Sequence, residues 1–202
     1  MSFDVNITRR LGEAEIALAF RAEGGLTALF GPSGSGKTST LNMIAGLLRP
    51  ERGHIIVDGE MLFGEDVDLP AERRRAGYVF QDGRLFPHLR VRANLLYGRR
   101  GAGWIGFDDV VALLGLGALL DRWPRTLSGG EKQRVAIGRA LLSNPRFLLM
   151  DEPLASLDGA RADEIMGMIE RVRDELKLPI LYVSHNRAEV DRLATQIVPV
   201  RR

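Results

Sequence analysis

The sequence predicts an α/β fold, a sheet of short strands interleaved with helices and broken by a helical insert. Three observations carry this. Short apolar runs of strand length recur along the chain, separated by helix-forming stretches. One of them, Leu26–Phe30, runs straight into a glycine-rich loop and then a helix. From Arg84 to Leu142 the strand-like runs stop and turns and helices take over, before strands return.

In chain order, Ala14, Ile16, Leu18 and Phe20 alternate with Glu13, Glu15, Ala17 and Ala19, the period of a half-buried strand. Leu26-Thr-Ala-Leu-Phe30 is a short buried strand. Ser39 to Ala45 follows as a helix, with Gly46 placed to end it. His54-Ile-Ile-Val57 and Gly77-Tyr-Val-Phe80 are further strands. After the insert come strands at Phe147–Met150, Ile180–Val183 and Gln196–Val200. Between them Ile165, Met168, Ile169, Val172 and Leu176 form an apolar stripe at helical spacing, which is core packing without chemistry. No internal repeat or low-complexity segment interrupts this order.

Composition bounds the function. At 202 residues the chain is the size of one domain with room for a subdomain. It has no cysteine, which excludes disulfides and thiolate metal sites. The net charge of +2 gives no argument for nucleic acid, and none is expected as a partner. Arg73-Arg74-Arg75 and Arg99-Arg100 are read as solvated faces. The greasiest stretch, Val110 to Leu120, holds two glycines and is too short to span a bilayer. Met1-Ser-Phe-Asp-Val5 lacks the pattern of a signal peptide. The expectation is a cytoplasmic protein that reaches a membrane, if at all, through a partner.

The loop Gly31-Pro-Ser-Gly-Ser-Gly-Lys-Thr38 fits the phosphate-binding pattern G-x-x-x-x-G-K-[ST] in full, between a strand and a helix as that pattern requires. Polyphosphate is multiply anionic, so its site wants many N–H donors and few side chains in the way. Gly34 and Gly36 let the backbone curl around the phosphates, and the following helix turns its free N–H groups and positive end toward them. Gly31, Pro32, Ser33, Ser35 and Ser39 complete the cradle. Lys37 is assigned to the β- and γ-phosphates and the Thr38 hydroxyl to Mg²⁺. The second half of the site is Arg146-Phe-Leu-Leu-Met-Asp151-Glu152, an apolar strand ending in acids. Asp151 suits the metal. Glu152 follows it where the chain turns, suited to polarising an attacking water.

Leu127-Ser128-Gly129-Gly130-Glu131 opens a helix. Ser128 and Glu131 fit a capping box, so a plain helix start accounts for them. Two glycines in a first turn are costly for a helix built only to pack. They leave bare N–H groups at a positive helix end, a second anion site. Two phosphate-binding elements in one chain suggest a dimer in which each ATP lies between one chain's loop and the other chain's Ser-Gly-Gly turn.

Leu127–Glu131 resembles the signature motif of ABC-transporter ATPases, and the other marks of that family stand in order. Gly31–Thr38 resembles Walker A, Gln81 after Tyr78-Val-Phe80 the Q-loop, Phe147–Glu152 Walker B, Ser156-Leu-Asp158 the D-loop and His185 the switch histidine. The resemblance covers nearly the whole chain. It implies a RecA-like P-loop NTPase core of ABC type, with a small N-terminal antiparallel β part and a helical subdomain at about 84–144 inside one ATPase domain, 1–202. It implies ATP and Mg²⁺ as cofactors, with Thr38, Gln81 and Asp151 around the metal and Glu152 as general base. His185 is implied at the γ-phosphate, Ser128 and Gly130 at the partner's ATP, and Ser156 and Asp158 between the two sites. The implied partners are a second copy of the chain in a head-to-tail dimer, an integral membrane permease and, indirectly, a periplasmic substrate-binding protein. The implied location is the inner face of the plasma membrane.

Within the family, Tyr78-Val-Phe-Gln-Asp-Gly-Arg-Leu-Phe-Pro-His88, Asp151-Glu-Pro-Leu-Ala-Ser-Leu-Asp158 and Leu181-Tyr-Val-Ser-His185 are most similar to the ATP-binding subunit of molybdate importers. Importers of sulfate, sugars or polyamines are alternatives, as is a soluble ABC ATPase acting on ribosomes or DNA. A P-loop kinase has no need of Leu127–Glu131. Two departures stand out. Many family members stack adenine on an aromatic residue upstream of the Walker lysine, worth on the order of 1 kcal/mol. Here that window reads Thr8-Arg-Arg-Leu11. The sequence also ends at Arg202, where molybdate-type subunits continue into an oxyanion-binding domain, so none is expected in this chain. His54 is read as structural. His88 lies in the segment that resembles a contact to the membrane subunit.

Overall fold

The computed structural model describes residues 2–99, 101 and 103–200. Met1, Arg100, Ala102, Arg201 and Arg202 lie outside it, and with them half of the Arg99–Arg100 pair and both ends of the chain.

Two sheets form the frame. The central one is parallel and five-stranded, in the order β6 (Ala76–Val79), β7 (Phe147–Asp151), β8 (Ile180–Ser184), β3 (Leu26–Phe30) and β9 (Gln196–Pro199). The other is antiparallel, in the order β2 (Ala14–Ala22), β1 (Phe3–Leu11), β4 (Arg52–Val57) and β5 (Glu60–Phe63). Every residue of β7 and β8 is buried, as parallel strands covered on both faces require. Their side chains alternate between two cores. Leu148, Met150, Ile180 and Tyr182 join the helices α3 (Val91–Leu96), α4 (Phe107–Leu113), α5 (Gly129–Leu142), α6 (Gly159–Leu176) and α7 (Arg187–Leu193). Phe147, Leu149, Leu181 and Val183 face the antiparallel sheet and α1 (Lys37–Ala45).

The strand β1 was not legible as such, although Phe3, Val5 and Ile7 are buried at a period of two. It carries charged Arg9 and Arg10 at its open end, and its inner half is anchored by residues distant in sequence. Asp4 accepts from Arg21 at 3.1 Å and lies 3.0 Å from His54 Nε2. His54, which leads all causes of the lowered Asp4 carboxyl pKa, is thus a structural partner.

The Arg73-Arg74-Arg75 cluster is corrected in part. Arg73 and Arg75 are exposed, but Arg74, ending α2 (Ala71–Arg74), is fully buried. Its guanidinium donates to the carbonyls of Met43 and Ile44 at 2.7 and 3.1 Å, closing the carboxyl end of α1. It also donates to Leu69 O at 2.6 Å and to Asp68 Oδ1 at 3.1 Å.

Candidate functional site

The glycine loop lies where β3 ends, and its backbone takes the shape the sequence requires. Gly34 and Gly36 have φ of +76° and +89°, in the left-handed region that favours glycine. Gly36 is the N-cap of α1 and supplies no capping side chain, so the first N–H groups of α1 stay available. Gly31 serves packing: a Cβ there would lie 2.2 Å from the Val200 carbonyl oxygen. Pro32, Ser33, Gly34 and Thr38 are exposed, and Ser39 is half-buried. Ser35 Oγ is buried with no hydrogen-bond partner among the described residues, a donor aimed into the loop.

Lys37 is buried, and its ammonium donates to the carbonyls of Gly31 and Pro32 at 2.8 Å each. Desolvation lowers its pKa, while the carboxylates of Glu152 and Asp151 act in the opposite direction. The Thr38 hydroxyl donates to Asp151 Oδ1 at 2.9 Å, joining the two halves of the site across the whole sequence between them. The alternation of β7 explains the contact: Asp151 shares a face with Phe147 and Leu149, the face on which α1 packs. Burial raises the Asp151 carboxyl pKa, and the Thr38 hydrogen bond partly offsets this.

These donors fit Mg²⁺. A hydroxyl and a carboxylate oxygen, hard ligands 2.9 Å apart, suit a cation that completes its shell with water and phosphate oxygens. Among the described residues no cluster of three or more His, Cys, Asp or Glu is set to hold a metal, so no all-protein cage competes with that arrangement.

Glu152 follows Asp151 in left-handed backbone, φ +44°, with its N–H donating to Val183 O at 3.0 Å. That bend takes Glu152 off the strand's alternation. Its Oε2 lies 3.0 Å from His185 Nδ1, so the acid and the histidine expected separately from sequence stand together. Gln81 is exposed just beyond β6, and no hydrogen bond joins it to Asp151 among the described residues. Register explains the convergence. Phe30 pairs with Ser184, Val183 with Asp151 and Met150 with Val79, so Gly31, His185, Glu152 and Gln81 all leave the carboxyl edge of one sheet.

The Ser128–Glu131 turn realises the capping box. Ser128 Oγ accepts from Glu131 N at 3.3 Å, and Ser128 N donates to Glu131 Oε2 at 2.7 Å. The latter bond is the main cause of the lowered Glu131 pKa. Capping and anion binding do not compete, because the box uses the N–H groups of Ser128 and Glu131 and leaves those of Gly129 and Gly130. Leu127 is buried beneath the turn. The turn and the glycine loop open helices with different neighbours: α5 packs on α3, α4, α6 and β6, and α1 on β7, β2 and β8. Beside the turn, Ser156 is exposed, and Asp158 caps α6 by accepting from Arg161 N at 3.1 Å.

A groove of about 390 Å³ follows Gln81, lined by Tyr78, Phe80, Arg84, Phe86, Tyr97 and Arg139. The apolar segment after Gln81 divides. Leu85 packs on the core, whereas Phe86 turns to the groove, its ring 4.0 Å from Tyr97. Buried Asn94 shapes the loop, accepting from Phe86 N and donating to the carbonyls of Phe86 and Leu89.

Residues 17–155 match the family model described as ABC transporter. The molybdenum import ATP-binding protein ModC of Rhizobium etli is 58% identical over 204 residues, 98% of this chain and 58% of that protein. ModC of Brucella abortus is 59% identical over 203 residues, covering 96% and 55%. The chain thus spans a little over half the length of the curated relatives it matches. Among solved structures, an ATP-binding cassette, dimeric in a post-hydrolysis state with ADP and Pi, aligns with a TM-score of 0.80. It is 30% identical, over 100% of this chain and 94% of that one. Fold, loop geometry and sequence agree, and the chain belongs to the ABC transporter family.

Proposed function

We propose that this chain is the ATP-hydrolysing subunit of an importer for an oxyanion, molybdate first among them. One observation carries the ATPase reading: Lys37, the Thr38–Asp151 pair and the Glu152–His185 pair meet at one sheet edge. ATP lays its phosphates on residues 31–39, and Lys37 exchanges its loop carbonyls for β- and γ-phosphate oxygens. Thr38 and Asp151, with Gln81 leaving the same sheet edge, would hold Mg²⁺, and the ion would offset phosphate charge. Glu152 takes the proton of the attacking water. His185, its ring 3.0 Å from Glu152 and half exposed, is the side chain that reaches the γ-phosphate.

The second copy supplies Ser128, Gly129 and Gly130 to that phosphate; the turn and the loop open helices that pack on different elements, and an aligned solved cassette is dimeric. Residues 84–144 form the helical subdomain, and its groove receives a short segment of a membrane permease fed by a periplasmic binding protein. The chain then works at the cytoplasmic face of the membrane. Among the described residues no helix is long and apolar enough to cross a bilayer. The molybdate assignment rests on the ModC relatives.

Two measurements test this reading. The chain is expected to co-purify with an integral membrane protein, and failure to do so under gentle extraction overturns the transport role. Cells lacking it are expected to lose molybdate uptake at low external concentration, regained with the wild-type chain and not with Glu152→Gln. Unchanged uptake overturns the substrate.

A further inference from the structure

His185 is 52% exposed, so packing cannot hold its ring where a phosphate needs it. The turn that carries it is held instead. Tyr182 Oη and Ser184 Oγ both donate to Glu189 Oε2, each at 2.8 Å. Ser184 Oγ in turn accepts from Asn186 N at 2.9 Å, and Asn186 Oδ1 caps α7 by accepting from Ala188 N at 3.0 Å. The two residues flanking His185 are thereby tied to one carboxylate oxygen on the next helix. Tyr182, Ser184 and Glu189 are all buried, and among the described residues Glu189 makes no ion pair. Burial, then the Glu189 charge, push the Tyr182 phenol up, so it remains a donor. A buried carboxylate met only by neutral donors is an expensive way to join a strand to a helix. A leucine would fill such a place without desolvating a charge. What the carboxylate adds is direction. It only accepts, so both hydroxyl protons point at it, and Ser184 keeps a lone pair for the Asn186 N–H.

We infer that Glu189 is a positioning residue for catalysis, fixing the Ser184–Asn186 turn so that His185 stands between Glu152 and the γ-phosphate. The inference rests on the role proposed above for His185. Single-turnover ATP hydrolysis and ATP affinity are measured for Glu189→Leu, Glu189→Gln, Ser184→Ala and His185→Ala, and for the first and third in the His185→Ala background. Glu189→Leu is expected to slow turnover by about ten- to a hundredfold at unchanged affinity. Ser184→Ala should lose less, and Glu189→Gln, which keeps an acceptor oxygen, should retain most of the rate. In the His185→Ala background neither Glu189→Leu nor Ser184→Ala should cost anything further. Losses that add fully to that of His185→Ala overturn the inference, as does a folded Glu189→Leu chain with normal turnover. If Glu189→Leu does not fold, the Ser184→Ala cycle decides by the same criterion. Normal turnover in His185→Ala overturns the role of His185 and this inference with it. Slow His185→Ala with normal Ser184→Ala and Glu189→Leu overturns this inference alone.

Discussion

At the scale of single residues, Glu152 holds a left-handed backbone that costs a non-glycine residue roughly 1–2 kcal/mol. The bend turns its carboxylate to His185. If Glu152 is the general base, Glu152→Gln should leave ATP binding intact and lower turnover by roughly 10²–10⁴-fold. The chain should then collect as an ATP-bound dimer on gel filtration. Near-normal ATPase activity removes Glu152 from the role. Asp151 has a different consequence. Burial raises its pKa, so the folded state holds the proton more tightly than the unfolded chain does, and stability falls as pH rises through the carboxylate range. Asp151→Asn should therefore have a higher Tm than the wild-type chain at neutral pH, while losing Mg²⁺-dependent hydrolysis. A lower Tm contradicts the sign. The sequence revealed the acids and the histidine because their motifs are local. It did not reveal Glu189, since two hydroxyls converging on a carboxylate from another element leave no mark in spacing.

At the scale of elements, the strands of the parallel sheet were legible because they are continuous apolar runs buried on both faces. Among the helices of the insert, α5 was legible from its capping box and the others only as a region. Here α3 and α4 have six and seven residues, too few for a periodic stripe to declare itself. That region carries the groove. Arg84 lies 4.1 Å over the Phe80 ring and Arg139 5.1 Å over Phe86, giving an apolar floor edged by cations. Phe86→Glu should fold, since Phe86 is only partly buried, and bind ATP normally as an isolated chain. It should assemble poorly with the membrane subunit in a pull-down. Unfolding of this variant returns Phe86 to the core, and normal assembly and transport end the docking assignment.

At the scale of the whole molecule, the proposed function has each site shared between two copies. A Ser128→Arg chain should bind ATP through its own loop, and a Lys37→Ala chain should not. Mixed together, the two inactive chains form heterodimers with one intact composite site, so ATPase activity should rise above either alone and stay well below wild type. Loss of ATP binding by monomeric Ser128→Arg places the turn in the chain's own pocket. The sequence hinted at sharing through its second glycine turn. It could not say that the turn and the loop lie on differently packed helices, which is a property of the fold.

The buried guanidinium of Arg74 gives the phosphate cradle a property beyond shape. The helix α1 is held at its carboxyl end before any nucleotide arrives, so the loop's N–H groups are oriented in advance and binding forfeits little disorder. Nine residues at 1.5 Å each set Arg74 about 13 Å from the loop, and from there it is expected to act on affinity as a remote anchor. Arg74→Met should weaken ATP binding in calorimetry, with a less favourable entropy and no loss of any group that touches phosphate. An unchanged affinity in the folded variant means the cradle keeps its form unaided.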